Sequence, residues 1–254
     1  MASNLISTSD LRKSTMKLMQ DNVKGLWMWL GGMAAVQFVI LYWVTSQVPL
    51  AGMDRMMMSE PHSSWYIPLI FIGSVGSFLV VVGLMRGLLV KVMPNGTKIT
   101  GFWMTAIQLL VAGIIIGLLC GVGFLVFILP GIWLAVAFMF ASYEIIANGK
   151  GVWSGPVSSF NLVKGRWWGV FGRFMMAVLW IILLEIVCGI VIGIINLVVS
   201  AVGLSVVGVV ISDLLHAALA VLVAYFTLCW NINLYRSLKS TPVAVPAPAP
   251  AAKA

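Results

Sequence analysis

Residues 113–168 read GIIIGLLCGVGFLVFILPGIWLAVAFMFASYEIIANGKGVWSGPVSSFNLVKGRWW, and this stretch decides how the chain is organised. It begins inside the apolar run 102–147, which is too long for one membrane crossing because a bilayer needs ~20 apolar residues. Pro130-Gly131 lies near the middle of that run. Proline lacks the N–H that a helix interior needs, but it fits the first turn of a new helix. The pattern predicts two spans, 102–127 and 130–147, separated by a helix break at Pro130 and Gly131.

Charge supports a turn between these two spans. Lys98 precedes the apolar run and Lys150 follows it. Two crossings bring both lysines to the same side of the membrane. One kinked crossing would put them on opposite sides, against the tendency of Lys and Arg to stay cytoplasmic.

The composition is that of a membrane protein. Of the 254 residues, 61% are hydrophobic and 9% are charged, and the mean hydropathy is +1.08. Soluble domains carry about 25% charged residues. We therefore expect an all-α, polytopic membrane protein.

Apolar runs of span length occur six times. The predicted spans are residues 26–48, 65–90, 102–127, 130–147, 167–198 and 204–234. Together they form a six-helix transmembrane domain over residues 26–236. A cytoplasmic or interfacial segment, residues 1–25, precedes it. A Pro/Ala-rich tail, residues 237–254, follows it and is predicted to be disordered.

Two further helices are predicted outside the spans. Residues 10–24 form an amphipathic pattern that Ser9 can cap. This segment suits a helix on an anionic membrane surface, and a solvated, loosely helical tail is the alternative. A short interfacial helix is predicted near residues 157–163.

Basic residues are distributed unequally between the two sides of the membrane. Fourteen of the 15 Lys and Arg residues fall in the N-terminal segment, the second and fourth connections with their flanks, and the C-terminal side. Only Arg55 falls on the opposite side. The positive-inside rule then predicts three out-and-back hairpins with both termini in the cytoplasm. The net charge of +8 is explained by topology and gives no support for nucleic-acid binding.

Several short motifs resemble those of one known family. They are Leu129-Pro130-Gly131-Ile132, Glu144, Gly151-Val152, the segment Ser159–Trp168 and Leu234-Tyr235-Arg236. Together they resemble the membrane domain of bacterial glycerophosphodiester phosphodiesterases and its uncharacterised six-helix relatives. The resemblance implies a six-helix body in the bacterial inner membrane. Those enzymes carry their chemistry on a separate barrel domain, for which this chain has no room, so the resemblance implies a non-catalytic module.

Glycines in two spans are candidates for helix packing. Gly113, Gly117 and Gly121 recur every four residues in span three, and Gly189 and Gly193 do so in span five. Such spacing places small residues on one helix face, where another helix can approach closely. We expect spans three and five to pack against each other within the chain, with a dimer interface as the alternative.

Three ionisable residues are predicted at mid-membrane depth. They are Glu185 in span five and Asp213 and His216 in span six. Charged groups in this position are costly and usually face each other or a cavity. The cluster could relay protons, bind a cation or bind a polar head group. A neutral, hydrogen-bonded clamp between the two spans is the more conservative interpretation.

The connection at 49–64 contains a methionine-rich segment. Met53, Met56, Met57, Met58 and His62 supply thioether and imidazole groups, which are ligands suited to Cu(I). An adaptable apolar surface that contacts a partner or the membrane is the favoured interpretation.

The sequence favours a non-catalytic membrane scaffold or subunit without a cofactor. It contains no nucleophile elbow, zinc-binding helix motif or phosphate loop. The expected partners are the lipid bilayer and a membrane protein or a second copy of the chain. A small proton- or ion-coupled carrier using Glu185, Asp213 and His216 is the main alternative, and a copper-handling subunit is a weaker one.

Overall fold

The computed structural model describes residues 5–46, 66–93 and 101–241, and these residues form eight helices and no strand. The helices are α1 Thr8–Ser46, α2 Tyr66–Val92, α3 Phe102–Val126, α4 Ile128–Phe138, α5 Ala141–Asn148, α6 Ser154–Val163, α7 Trp167–Ala201 and α8 Ser205–Ser240. The methionine-rich segment and the Pro/Ala-rich residues after Thr241 lie outside the described residues.

Six helical segments of the described chain are long and apolar enough to cross a membrane. They are Thr8–Ile40, Phe71–Val92, Phe102–Val126, Ile128–Asn148, Trp167–Ala201 and Val207–Ser240. The predicted all-helical class and the number of candidate spans are confirmed by the length and composition of these helices.

The chain leaves helical geometry between α3 and α4 at a single residue, which precedes the predicted break at Pro130 and Gly131 because both of these residues lie inside α4. Phe127 is extended, with φ −159° and ψ 147°. Pro130 is the third residue of α4, where its missing N–H costs little. A Cβ placed at Gly123 would lie 3.1 Å from the Cα of Gly131. These two glycines therefore let α4 fold back closely along α3.

The first helix differs from the prediction. α1 runs without interruption from Thr8 to Ser46, so the amphipathic segment and the first span form one helix. Its cap is Ser7 rather than Ser9, because the Asp10 N–H donates to Ser7 Oγ at 3.1 Å. Leu11 and Thr15 are fully buried, and Asn233 of α8 donates to Thr15 Oγ1 at 3.4 Å. The N-terminal half of α1 is thus packed against α8 within the protein.

The predicted fourth span, 130–147, is two helices rather than one. α4 ends at Phe138 and α5 begins at Ala141. The buried Ser159 of α6 bridges this gap, donating to the Ala137 carbonyl at 2.8 Å and accepting from the Phe140 N–H at 3.1 Å. Ser159 therefore satisfies two backbone groups that the helix break would otherwise leave unpaired in the core.

The last helix is longer than the predicted span. α8 continues to Ser240, so residues 237–240 are helical rather than part of a disordered tail. The helix packs against both α1 and α7. Its C-terminal half is its most buried part and contains the fully buried Trp230 and Tyr235. Phe140 packs against Tyr235, with ring centroids 5.9 Å apart. Buried side chains are thus concentrated in α5 and in the C-terminal half of α8.

Candidate functional site

A buried carboxylate in the first turn of α5 is the centre of the candidate site. Glu144 is only 2% exposed. Gly149 ends α5 in a left-handed conformation, with φ 61°, which glycine adopts without steric cost. The chain reverses there and brings Lys150 back to the carboxylate, with Nζ 3.0 Å from Glu144 Oε2.

Groups from three helices and one loop saturate both carboxylate oxygens of Glu144. Tyr235 OH donates to Oε1 at 2.9 Å, and Lys239 Nζ lies 3.6 Å from the same atom. Asn148 Nδ2 and Ser158 Oγ donate to Oε2 at 2.7 and 3.1 Å. Burying a charge is costly unless it is paired and hydrogen-bonded, and these contacts meet both conditions.

The neighbours of Glu144 are also connected to one another. Asn148 Nδ2 donates to Tyr235 OH at 3.0 Å, and Lys239 donates to Asn148 Oδ1 at 2.9 Å. The Lys239 ammonium lies 5.1 Å from the centroid of the Tyr235 ring. Lys150 donates to Ser158 Oγ. The network joins α5, α6, α8 and the loop after α5, so it holds these elements in one arrangement.

Arg166 secures the ends of two helices beside this network. Its Nη2 donates to the carbonyls of Leu162 in α6 and Leu238 in α8, both at 3.1 Å, and Nη1 donates to the Thr241 carbonyl. Carbonyls at a helix C-terminus lack partners within the helix. A cation there also interacts favourably with the negative end of the helix dipole. Partial burial lowers the pKa of the Arg166 guanidinium from its ordinary value, but a guanidinium remains charged at neutral pH.

Tryptophans flank the site on the same segment of chain. Trp167 Nε1 donates to the Trp133 carbonyl at 3.2 Å and ties the start of α7 to α4. Trp153 and Trp168 are 71% and 78% exposed. Exposed tryptophans favour the boundary between hydrocarbon and head groups of a membrane.

A polar cavity of about 560 Å³ opens beside Glu144. It is lined by Glu144, Asn148, Lys150, Ser158, Asn161, Leu162, Arg166, Leu238 and Lys239. Three of these side chains are cationic and one is anionic. The Lys150 and Lys239 side chains remain 37% and 31% exposed while they contact the carboxylate.

The sequence did not predict this site, although several of its residues are motif positions. Glu144 and the segment 159–168 contributed to the family resemblance, but no site was assigned to them. One local signal was available: a single carboxylate ends an apolar run, and a lysine follows six residues later. The partners Tyr235 and Lys239 lie more than 90 residues away in sequence, so no local pattern indicated them.

The structure places the three predicted mid-membrane residues on adjacent helices without joining Glu185 to His216. Glu185 is exposed on α7 and makes no hydrogen bond or ion pair with any described residue. His216 is exposed on α8, and its Nδ1 lies 2.8 Å from the Ser212 carbonyl. Asp213 is 3% exposed and makes an interaction of its own. Within the described chain, Glu185 and His216 do not contact each other, so the three residues do not form one cluster.

The glycine faces are open rather than packed within the chain. No described atom lies within 4 Å of a Cβ built at Gly113, Gly117, Gly121, Gly189 or Gly193. α3 packs on α4, and α4 in turn contacts α7. The glycines expected to join spans three and five therefore do not make that contact in the described structure.

The proposed copper ligands lie outside the described residues. Within residues 5–46, 66–93 and 101–241, no group of three or more His, Cys, Asp or Glu side chains could hold a metal ion. The copper site therefore stays a prediction from sequence.

The fold is that of a multi-pass helical membrane protein with a buried polar network at one end. The family model named "Domain of unknown function (DUF7847)" matches residues 63–238, so the chain belongs to that family. The match covers α2 to α8 almost completely and includes the Glu144 network except for Lys239. No curated protein and no solved structure matches the chain.

Proposed function

We propose that this protein is a non-catalytic subunit of a membrane assembly, and that a second copy of the chain is its partner. The face of α7 that carries Glu185 supports this proposal. α7 is the least buried of the six candidate spans, with only 6% of its most apolar segment buried within the chain. Glu185, Gly189 and Gly193 are spaced by four residues, so they share one side of α7.

This face combines two features that favour contact with another helix. The open glycines permit close approach of a second backbone. The carboxylate of Glu185 has no partner in the described chain. In hydrocarbon an unpaired carboxylate is costly, so a partner that supplies a polar group stabilises it.

His216 of a second copy fits that requirement. Asn196 Oδ1 lies 3.1 Å from the position that a Cβ would take at Gly208, so Asn196 of α7 and Gly208 of α8 lie at about the same level. Glu185 is eleven residues before Asn196 and His216 is eight after Gly208, so their levels differ by about 4.5 Å. A two-fold arrangement would pair Glu185 of each copy with His216 of the other.

The hydrogen bond that His216 already makes prepares it for this contact. The Ser212 carbonyl can only accept, so Nδ1 carries the proton. Nε2 then remains as an acceptor for a protonated carboxyl or, in the imidazolium form, as a donor to a carboxylate. One proton is thus sufficient for each Glu–His pair in the assembly.

Glu185→Leu is expected to weaken self-association by at least about tenfold, because it removes both polar contacts of a two-fold pair. Gly189→Leu should also weaken it, because a branched side chain prevents close approach. The measurement is the dimer fraction in mild detergent against concentration, by native mass spectrometry. Gly117→Leu is the matched control, since it makes the same change on an open face of α3. A wild-type chain that stays monomeric at all concentrations would refute the proposal.

A carrier is the second candidate function, and the burial of Asp213 favours it. A carboxylate that is 3% exposed inside a candidate span is a common element of proton pathways. Proton flux in proteoliposomes that is lost in Asp213→Asn, while dimerisation is retained, would favour the carrier over the scaffold.

We further propose that the six spans form three hairpins in the bacterial inner membrane, with both termini in the cytoplasm. Contacts of α1 with α2, α3 with α4 and α7 with α8 support the hairpins, and the basic asymmetry supports the orientation. The family resemblance supports the choice of membrane.

The orientation can be checked with reporter fusions. A reporter fused after Ser240 should show the activity expected of a cytoplasmic location. A reporter inserted in residues 49–64 should show the activity expected of a location outside the cytoplasm. The same compartment for both reporters would contradict the proposed topology.

A further inference from the structure

We propose that the polar cavity beside Glu144 binds a phosphate-bearing anion. The cavity is separate from the α7 face, so this inference does not depend on the proposed assembly. Its lining carries the positive charges of Lys150, Arg166 and Lys239 against the single negative charge of Glu144. Two positive charges are therefore left without a counter-charge in the lining of one cavity.

The carboxylate has little remaining capacity to compete with a ligand. Both of its oxygens already receive hydrogen bonds or ion pairs from five groups: Asn148, Lys150, Ser158, Tyr235 and Lys239. Each ammonium has three donors, whereas the structure uses two at Lys150 and two at Lys239. One N–H of each lysine thus remains for a further acceptor.

Asn161 adds a neutral donor to the same wall. It lines the cavity, is exposed, and makes no hydrogen bond with a described residue. Two ammonium donors and an amide N–H around one space match the several acceptor oxygens of a phosphate group. A cation would be repelled by the excess positive charge, and an apolar ligand would leave these donors unpaired.

The size and position of the cavity are consistent with such a ligand. Its volume of about 560 Å³ falls within the range of small-molecule sites, roughly 300–1,000 Å³. The exposed Trp153 and Trp168, which flank the site, favour the level of lipid head groups. A phosphate could therefore reach it either on an anionic lipid or free in solution, and both sources offer the same oxyanion chemistry.

The test changes the charge of the cavity without touching the Glu144 network. Asn161→Asp places a carboxylate beside the proposed ligand and is expected to weaken binding about tenfold, whereas Asn161→Lys is expected to tighten it. Gln20→Glu and Gln20→Lys are the matched controls, because Gln20 is an exposed amide on α1 outside the cavity. The full chain is used, and its melting temperature without ligand verifies that each variant is folded.

Two probes distinguish the sources of phosphate. Inorganic phosphate is titrated into detergent-solubilised protein at constant ionic strength, and nanodiscs of phosphatidylglycerol are compared with nanodiscs of phosphatidylcholine. Stabilisation by free phosphate, or by phosphatidylglycerol but not phosphatidylcholine, supports the proposal if Asn161→Asp decreases it and Asn161→Lys increases it. Absence of binding to both probes would overturn it. Equal responses of the Asn161 and Gln20 variants would also overturn it, because they would reflect overall charge rather than this cavity.

Discussion

Replacing both Lys150 and Lys239 with methionine is expected to lower the free energy of unfolding by about 3–5 kcal/mol, because Glu144 would be left as an unpaired buried charge. Each single replacement should cost only about 1 kcal/mol, since the two lysines remain about a third exposed and one of them still neutralises the carboxylate. The double change is therefore expected to cost more than the sum of the single changes.

The measurement is unfolding in mild detergent, followed by loss of helical signal. Glu144→Gln supplies the control in the double-mutant background. The amide removes the buried charge while keeping an acceptor for Tyr235 OH, so much of the lost stability should return. Strict additivity of the two lysine changes, or no recovery with Glu144→Gln, would contradict the view that the lysines share one role at this carboxylate.

Gly155→Leu is expected to destabilise the protein by about 3 kcal/mol, because α6 lies against α5 with no room for a side chain. A Cβ at Gly155 would be 2.6 Å from Ile145 Cγ1 and 3.4 Å from the Ala141 carbonyl oxygen. Ile145 is fully buried and cannot move into solvent. To relieve this overlap, α6 would have to move away from α5. The Ser159 hydroxyl, which bridges α4 and α5, would move with it.

Gly117→Leu is the matched control for this change, because no described atom lies within 4 Å of its added Cβ. Its effect on unfolding should stay within about 0.5 kcal/mol. Gly155→Ala should also be destabilising, although alanine favours a helix over glycine by about 1 kcal/mol. Thermal unfolding of the three variants in the same detergent tests the ranking. Equal losses at positions 117 and 155 would contradict it.

Membrane insertion limits what a sequence can reveal about helix faces. In a soluble protein, an apolar stripe indicates the side of a helix that faces the core. In a membrane, lipid tails are as apolar as a leucine-rich core, so both sides of a span look alike. Gly117 and Gly155 show the consequence: the first belonged to a regular packing pattern but is open, and the second belonged to no pattern but is crowded.

The sequence by itself determined the properties that depend on consecutive residues. Six apolar segments of span length follow from hydropathy, the interruption between 102–127 and 130–147 from the chemistry of proline, and the short helix α6 from its local pattern. Each of these features can be read within a window of about 20 residues, because a membrane requires the helix itself to satisfy its backbone hydrogen bonds.

Only the tertiary structure decided which polar groups meet. Glu144 contacts Tyr235 and Lys239, which lie more than 90 residues later in the sequence. Ser159 of α6 forms a hydrogen bond with a backbone carbonyl at the break between α4 and α5. Glu185 and His216 have similar depths, but neither contacts the other within the described chain. These outcomes depend on the rotation and crossing of packed helices. That geometry is set by side-chain fit across the whole bundle, and no local pattern encodes it.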